Sequence, residues 1–463
     1  MAMRKSGLDI RWPVGAYLIG GLLLAVALLP EFLSGSAPGF GPMQICAAAG
    51  AVCALVIGTF LLVRMDRAAR RQQLSAAGAR FGKGAAKWLL CVGSLAIVAA
   101  GAEGWARWRA KPPDDQRRWL ELIKDLPESE QLAKDRGEWN NYKGLEYHDY
   151  YIYGMRPRKL PTSTFTSFFG DRPCPSSAPE ESAEQRVWFF GGSTMMNLET
   201  TDERTIANHA IKLLNAAGIR AAGHNFGMGM FQSCLELAKF QEILRRVPER
   251  RRPTIVVFYD GFNDANSGYH FGAGRMQSDI SGRLQMLVER HHWDMARVGV
   301  VEGLLAKSQF YQDHGRWLAT ERSAMAGVRN DASEANLDQS VAIYQANMDM
   351  VRGVCRQFQI RPVLALQPLV VTKRGRTSAE DELYESLAKN GFADFVEGFY
   401  ARTRVVMADC PDFVDLSHLL DHDGRTDFYD LGHTGPYTGA DIGKALGEAI
   451  VARLPADDSS GEN

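Results

Sequence analysis

The sequence predicts an α/β domain, a parallel β-sheet with helices on both faces, preceded by transmembrane α-helices. Three observations carry this reading. From residue 186 onward, short apolar runs alternate with helical patterns, as expected of strand–helix–strand units in a parallel sheet. The run Thr254 to Tyr259 is continuously apolar and rich in β-favouring residues, which is the character of a strand buried on both faces. Within residues 1–107, three apolar stretches each approach the roughly 20 residues that a helix needs to cross a bilayer core.

Those stretches are Val14 to Leu33, Met43 to Val63 and Trp88 to Ala106, with Glu31 and Glu103 as late acids in the first and third. A cleavable signal peptide competes for the first, but its apolar run is long and two more follow. Arg4, Lys5 and Arg11 precede the first segment, and Arg64, Arg67, Arg70, Arg71, Arg80, Lys83 and Lys87 fill the loop between the second and third. The loop between the first and second has no basic residue. The positive-inside rule then puts the N-terminus and the basic loop in the cytoplasm, and everything after about residue 107 outside it. With only two spans, the rest of the chain would face the cytoplasm. A lipid or nucleic-acid patch would also explain the basic loop, but topology does so without a further assumption.

The formal net charge of -1 over 463 residues gives no overall bias toward nucleic acid, and no nucleic-acid partner is expected. Cys46, Cys53 and Cys91 lie in apolar segments and read as small apolar residues. Cys174, Cys234, Cys355 and Cys410 lie in the exported part, where disulfides are permitted, and nothing selects a pairing. The absence of a CxxC pair argues against structural zinc.

Residues 108–185 read as a juxtamembrane stem and N-terminal wrap. A charged helical stretch runs from Asp114 to Arg136, aromatics cluster at Tyr147, Tyr150, Tyr151 and Tyr153, and a Pro/Ser-rich link spans Pro161 to Pro179. Residues 186–454 form the main domain, with a largely helical insertion at about 270–360, and 455–463 a disordered tail. Predicted helices fall near Ile206 to Ala217, Ser233 to Arg246 and Gly439 to Leu454; predicted strands fall near Ala221 to Asn225, Pro362 to Leu366 and Phe413 to Val414. Thr200-Thr201-Asp202-Glu203 offers N-cap residues and a capping box to the helix that follows.

Strand ends carry the chemistry. Val187 to Phe190 leads into Gly191-Gly192-Ser193, a turn that brings the hydroxyl out at the carboxyl end of a strand, where open α/β sheets bind ligands. Asn225-Phe-Gly227-Met-Gly229 precedes a helix and leaves N–H groups free for an anion. Gly261-Phe-Asn263-Asp264 puts an amide after the best strand, and Asp430-Leu-Gly-His433 precedes the last helix. These are the parts of acyl transfer: a hydroxyl nucleophile, an imidazole to take its proton, a carboxylate to fix the tautomer, and donors for an oxyanion.

The four blocks, in this order, resemble the SGNH/GDSL hydrolase superfamily in a bacterial, membrane-anchored form. The resemblance covers about residues 186–453. It implies a flavodoxin-like three-layer α/β/α fold with Ser193 as nucleophile, His433 as base and Asp430 orienting it. The oxyanion hole would be the N–H groups of Ser193 and Gly229 with the Asn263 amide; Gly227 is the alternative glycine. Two departures stand out: Gly192 replaces the aspartate that often precedes the serine, and the second block is one residue short.

Asp415-Leu-Ser-His418 is a rival D-x-x-H, less favoured because it does not lie just before the last helix. Asp260, Asn263, Asp264 and Asn266 offer oxygen ligands but lack EF-hand spacing. His270, His291 and His292 read as exposed or packing residues. The methionines at 195, 196, 228 and 230 read equally as core or pocket lining. The expectation is therefore an extracytoplasmic serine esterase at a bacterial inner membrane, its catalytic domain facing the periplasm or exterior. It would act on O-acyl, chiefly O-acetyl, groups of a glycan or envelope component without metal or organic cofactor. An O-acyltransferase to an exported polysaccharide, or a non-catalytic glycan- or partner-binding scaffold, are the alternatives.

Overall fold

The computed structural model describes residues 104, 114–139, 145–275 and 330–454, apart from 168, 389, 390 and 423. The three apolar N-terminal segments with Cys46, Cys53 and Cys91, most of the helical insertion (including His291 and His292) and the tail lie outside the described residues. Among the described residues, no helix is long and apolar enough to cross a membrane.

The sheet is built from β5 (Arg172–Pro173), β6 (Gln185–Gly191), β7 (Ala221–Asn225), β8 (Ile255–Asp260), β9 (Arg361–Leu366) and β10 (Phe413–Asp415). Its order is β10-β9-β8-β6-β7-β5. All neighbours pair in parallel except β5, which runs antiparallel to β7. The five parallel strands thus follow the doubly wound 2-1-3-4-5 pattern, whose switch point lies between β6 and β8.

Side-chain alternation along β6 divides the core. Val187 and Phe189 pack with α4 (Ile206–Ala216) and α10 (Pro436–Val451). Trp188 and Phe190 face the opposite layer, of α5 (Ser233–Arg246), α7 (Glu334–Gln357) and α9 (Phe392–Val406). Each fully buried Val or Phe contributes about 1.5–3 kcal/mol, so a two-sided strand such as β6 is a major source of stability.

Several boundaries differ from the sequence expectation. Thr205, not Thr200 or Thr201, caps α4, its hydroxyl accepting from the Asn208 N–H at 3.2 Å. The chain before it is drawn into a separate turn, described below, which delays the helix. The last helix starts at Pro436, because proline suits a first turn whose N–H groups have no helical acceptor. The described end of the predicted insertion is α7, the crossover between β8 and β9. Cys174, Cys234, Cys355 and Cys410 are all free thiols.

The N-terminal wrap is integral to the domain. The charged stem is two helices, α1 (Asp114–Ile123) and α2 (Ser129–Trp139), whose Trp119, Ile123, Leu126 and Leu132 form a small core with Tyr429. The aromatic stretch forms the hairpin β1 (Leu145–His148) and β2 (Ile152–Met155). Tyr151 and Tyr153 are buried there against Phe231 and Met196, whereas Tyr147 and Tyr150 are exposed.

Candidate active site

Ser193 opens a one-turn helix, α3 (Ser193–Met196), directly after β6, beside the switch point. As the first residue of that turn, its N–H has no acceptor within the helix. Nε2 of His433 lies 2.7 Å from Ser193 Oγ, and Nδ1 lies 2.7 Å from Asp430 Oδ2. The other Asp430 oxygen accepts from the N–H groups of Gly432 (3.1 Å) and His433 (2.8 Å), which holds the carboxylate against Nδ1. Tyr429 stacks on the imidazole, with ring centroids 5.7 Å apart.

Burial disfavours a charged imidazole, but the carboxylates of Asp430 and then Glu199 outweigh it, and the His433 pKa rises to about 9. Asp430 moves the other way: desolvation raises its pKa, yet His433 and the two N–H donors bring it below the usual carboxylate range. Both shifts favour the charged pair, and the ring can accept the Ser193 proton only in its neutral form.

The donors are held separately. Asn263, in the first turn of α6 (Phe262–Phe271), donates through Nδ2 to the Phe231 carbonyl at 2.6 Å, leaving its second amide hydrogen for another acceptor. A Cβ on Gly192 would come within 2.2 Å of that nitrogen. Glycine before the serine thus makes room for the amide, which accounts for the missing aspartate. In the second block, the Gly227 N–H is taken by Asn225 Oδ1 at 3.0 Å, while the Gly229 N–H meets only the Met196 thioether at 3.2 Å. Sulfur is a weak acceptor, so Gly229 is the glycine with a donor to offer. Tyr153 of the wrap donates to the Gly229 carbonyl at 2.9 Å and orients that peptide.

Further supports hold these groups, and of them only Asn225 belongs to a motif. Asn225 Nδ2 donates to the Met195 carbonyl at 2.7 Å, tying the end of β7 to the turn that carries Ser193. Arg172, fully buried on β5, donates to the carbonyls of Met196, Asn197 and Thr200 (2.9 and 3.0 Å for the first and last), and to Asp202 at 2.9 Å. Lys373 donates at 2.8 Å to Glu380, Asp427 and the Arg425 carbonyl, all three side chains being fully buried. Glu380 in turn accepts from the N–H groups of Asp427 and Phe428, so this cluster anchors the chain leading into Asp430 and His433. Residues far apart in sequence supply each of these contacts.

The rival pair does not form. Asp415 accepts from the Ser417 N–H, and His418 lies between Asp421 (3.1 Å) and Arg404 (3.1 Å), away from Ser193. Asp260 and Asp264 face inward, where Asp264 accepts from the Ser233 hydroxyl at 2.6 Å. Burial raises the pKa of Asp264 to about 6, and it raises Asp260 and the neighbouring Glu236, which share a hydrogen bond, well above the usual carboxylate range. Among the described residues, no His/Cys/Asp/Glu group is arranged to hold a metal ion. Met195, Met196 and Met228 are buried core residues; Met230 sits at a left-handed turn with φ +63°.

A doubly wound sheet with a serine–histidine–carboxylate chain at its switch point contains the parts of a serine acylhydrolase site. Neither a family model nor a curated relative matches the chain. Solved structures of GDSL-type acylhydrolases and acetylxylan esterases are similar to it. A GDSL-like lipase from Bacteroides thetaiotaomicron shares 14% identity over 58% of this chain and 90% of its own, with a TM-score of 0.30. A catalytic mutant of an acetylxylan esterase from Geobacillus stearothermophilus shares 11% over 58% and 94%, with a TM-score of 0.31. An acetyl xylan esterase shares 13% over 58% and 100%, also at 0.31.

Proposed function

We propose that the chain is an SGNH-type serine esterase that cleaves O-acyl, chiefly O-acetyl, groups from a glycan or envelope component outside the cytoplasm. The observation that carries the catalytic reading is the continuous chain Ser193 Oγ, His433 Nε2, His433 Nδ1, Asp430 Oδ2, with 2.7 Å at both hydrogen-bonded steps. The charge asymmetry around the N-terminal apolar segments supports the location and, through it, the substrate class.

In this mechanism neutral His433 takes the Ser193 proton as Oγ attacks the ester carbonyl. The carbonyl oxygen, now negative, accepts from the Ser193 and Gly229 N–H groups and the Asn263 amide. Collapse expels the alcohol, which leaves with the proton from His433, and an acyl-serine remains. Water then gives a proton to His433 and attacks the acyl carbon; the proton returns to Oγ as the acid departs.

The test is p-nitrophenol release from p-nitrophenyl acetate by the 463-residue chain in detergent, wild type against Ser193→Ala. The alanine form is expected to lose on the order of 10³-fold or more in kcat/KM. Equal rates from both would end the reading.

A further inference from the structure

Glu199 was not singled out by any motif, yet it faces the reacting side of the imidazole. Its Oε1 lies 3.9 Å from His433 Nε2, the same nitrogen that meets Ser193 Oγ at 2.7 Å. Asp430 occupies the opposite nitrogen. One imidazole therefore sits between two carboxylates, and only one of them is the expected triad member.

The loop that carries Glu199 is built with care. Asn197 adopts a left-handed conformation at φ 54°, its side-chain oxygen accepting from the Ile206 N–H at 2.9 Å. The Arg172 guanidinium gathers the carbonyls of Met196, Asn197 and Thr200 around it, with Asp202 balancing the arginine's charge. A left-handed non-glycine residue and a fully buried arginine both carry a cost. Here that cost goes into a turn that puts a mostly buried carboxylate, its side chain 13% exposed, over the histidine.

We propose that Glu199 is a positioning residue for the triad, a second carboxylate partner that acts on His433 from the Nε2 side and governs when the imidazole is free to take the Ser193 proton. The inference rests on the esterase reading of the site. Three other groups face the ring, and a fourth, Arg136, lies behind the tyrosine that stacks on it. Asp430 and Tyr429 lie on its own loop, Ser193 is on α3, and Arg136 on α2 places its guanidinium 5.1 Å from the Tyr429 ring centroid. Asp430 and Glu199 favour the charged ring, and Arg136 opposes it. Removing the Glu199 charge therefore lets the ring shed its proton at lower pH. It also weakens support for the imidazolium formed as serine attacks, so the high-pH plateau falls.

The clamp hydrogen-bonds to three backbone carbonyls and to Asp202, so Glu199→Gln leaves those bonds in place. The experiment is the pH profile of kcat/KM for p-nitrophenyl acetate between about pH 5 and pH 10 on the full chain, with the Ser193→Ala rate subtracted. Glu199→Gln and Glu199→Ala are each expected to lower the midpoint of the acid limb by about one unit or more. Glu199→Asp, which keeps the charge, holds the midpoint near that of wild type. A midpoint unmoved in both neutral variants overturns the proposal while leaving the triad standing. If Ser193→Ala matches wild type at every pH, the esterase reading fails and takes this inference with it.

Discussion

Lys373→Met tests whether the buried charge cluster beneath the histidine loop holds that loop in place. All three Lys373 hydrogens are used, at 2.8 Å each, on Glu380, Asp427 and the Arg425 carbonyl, and the three side chains are fully buried. Removing the ammonium leaves two carboxylates in the interior without their shared cation. Glu380 keeps the N–H groups of Thr377, Asp427 and Phe428, and Asp427 keeps Arg425 and Thr438, so neither is wholly abandoned. Breaking one partner out of a buried ion cluster costs about 3–5 kcal/mol. For a unit of this size that is a fall in Tm of roughly 5–8 °C.

Differential scanning fluorimetry on wild type, Lys373→Met and the exposed control Lys134→Met reads the effect directly. Ester hydrolysis well below the transition should also drop, because the segment from Asp427 carries Asp430 and His433. The triple change Lys373→Met, Glu380→Gln, Asp427→Asn removes the stranded charges and should recover part of the loss. A Tm for Lys373→Met indistinguishable from that of Lys134→Met would refute the reasoning, since it would mean that the cluster is worth no more than a solvated lysine.

Asn263→Ala should lower kcat for p-nitrophenyl acetate by about 10²–10³-fold with KM little changed, as expected for a donor used mainly in the transition state; a loss confined to KM would assign the amide to ground-state binding instead. Asp260→Asn addresses pH-dependent stability. Burial raises Asp260 and its neighbour Glu236 well above the ordinary carboxylate range, so above that range the folded pair still holds a proton that the unfolded state has released. Its contribution is thus full below about pH 4 and is lost as pH rises through the raised titration of the pair. The asparagine variant, which cannot ionise, should show a shallower fall in Tm between about pH 5 and pH 8 than wild type; parallel curves would exclude Asp260 as a source of the slope.

How much of this was legible in the sequence depends on how local the cause is. Strands buried on both faces are continuous apolar runs, so β6 and β8 could be read directly, as could α5, whose period and ends are set by its own residues. Ser193, Asp430 and His433, which the structure brings together, could be picked out because each lies near a strand or helix end marked by glycine. Arg172, Lys373 and Glu199 could not. An arginine buried on a two-residue edge strand, or a lysine shared by two carboxylates 7 and 54 positions away, leaves no periodicity and no spacing. The capping box failed for the same reason: Thr200 and its neighbours follow local capping rules, but a contact with Arg172 decides their conformation.

The same contrast bears on where the functional unit begins. Residues 186–454 contain every motif, yet they do not contain every group that shapes the site. Arg172 arranges the turn after Ser193, Tyr153 orients the Gly229 peptide, and Arg118 donates to the Tyr429 carbonyl at 2.7 Å. Trp119 and Leu132 supply the apolar floor beneath the tyrosine that stacks on His433. Cutting the chain at residue 186 would remove β5 from the sheet and a buried arginine from three carbonyls, leaving Asp202 buried without its cation. The stem helices are therefore a structural part of the site, joined through Tyr429 to the loop that carries the histidine.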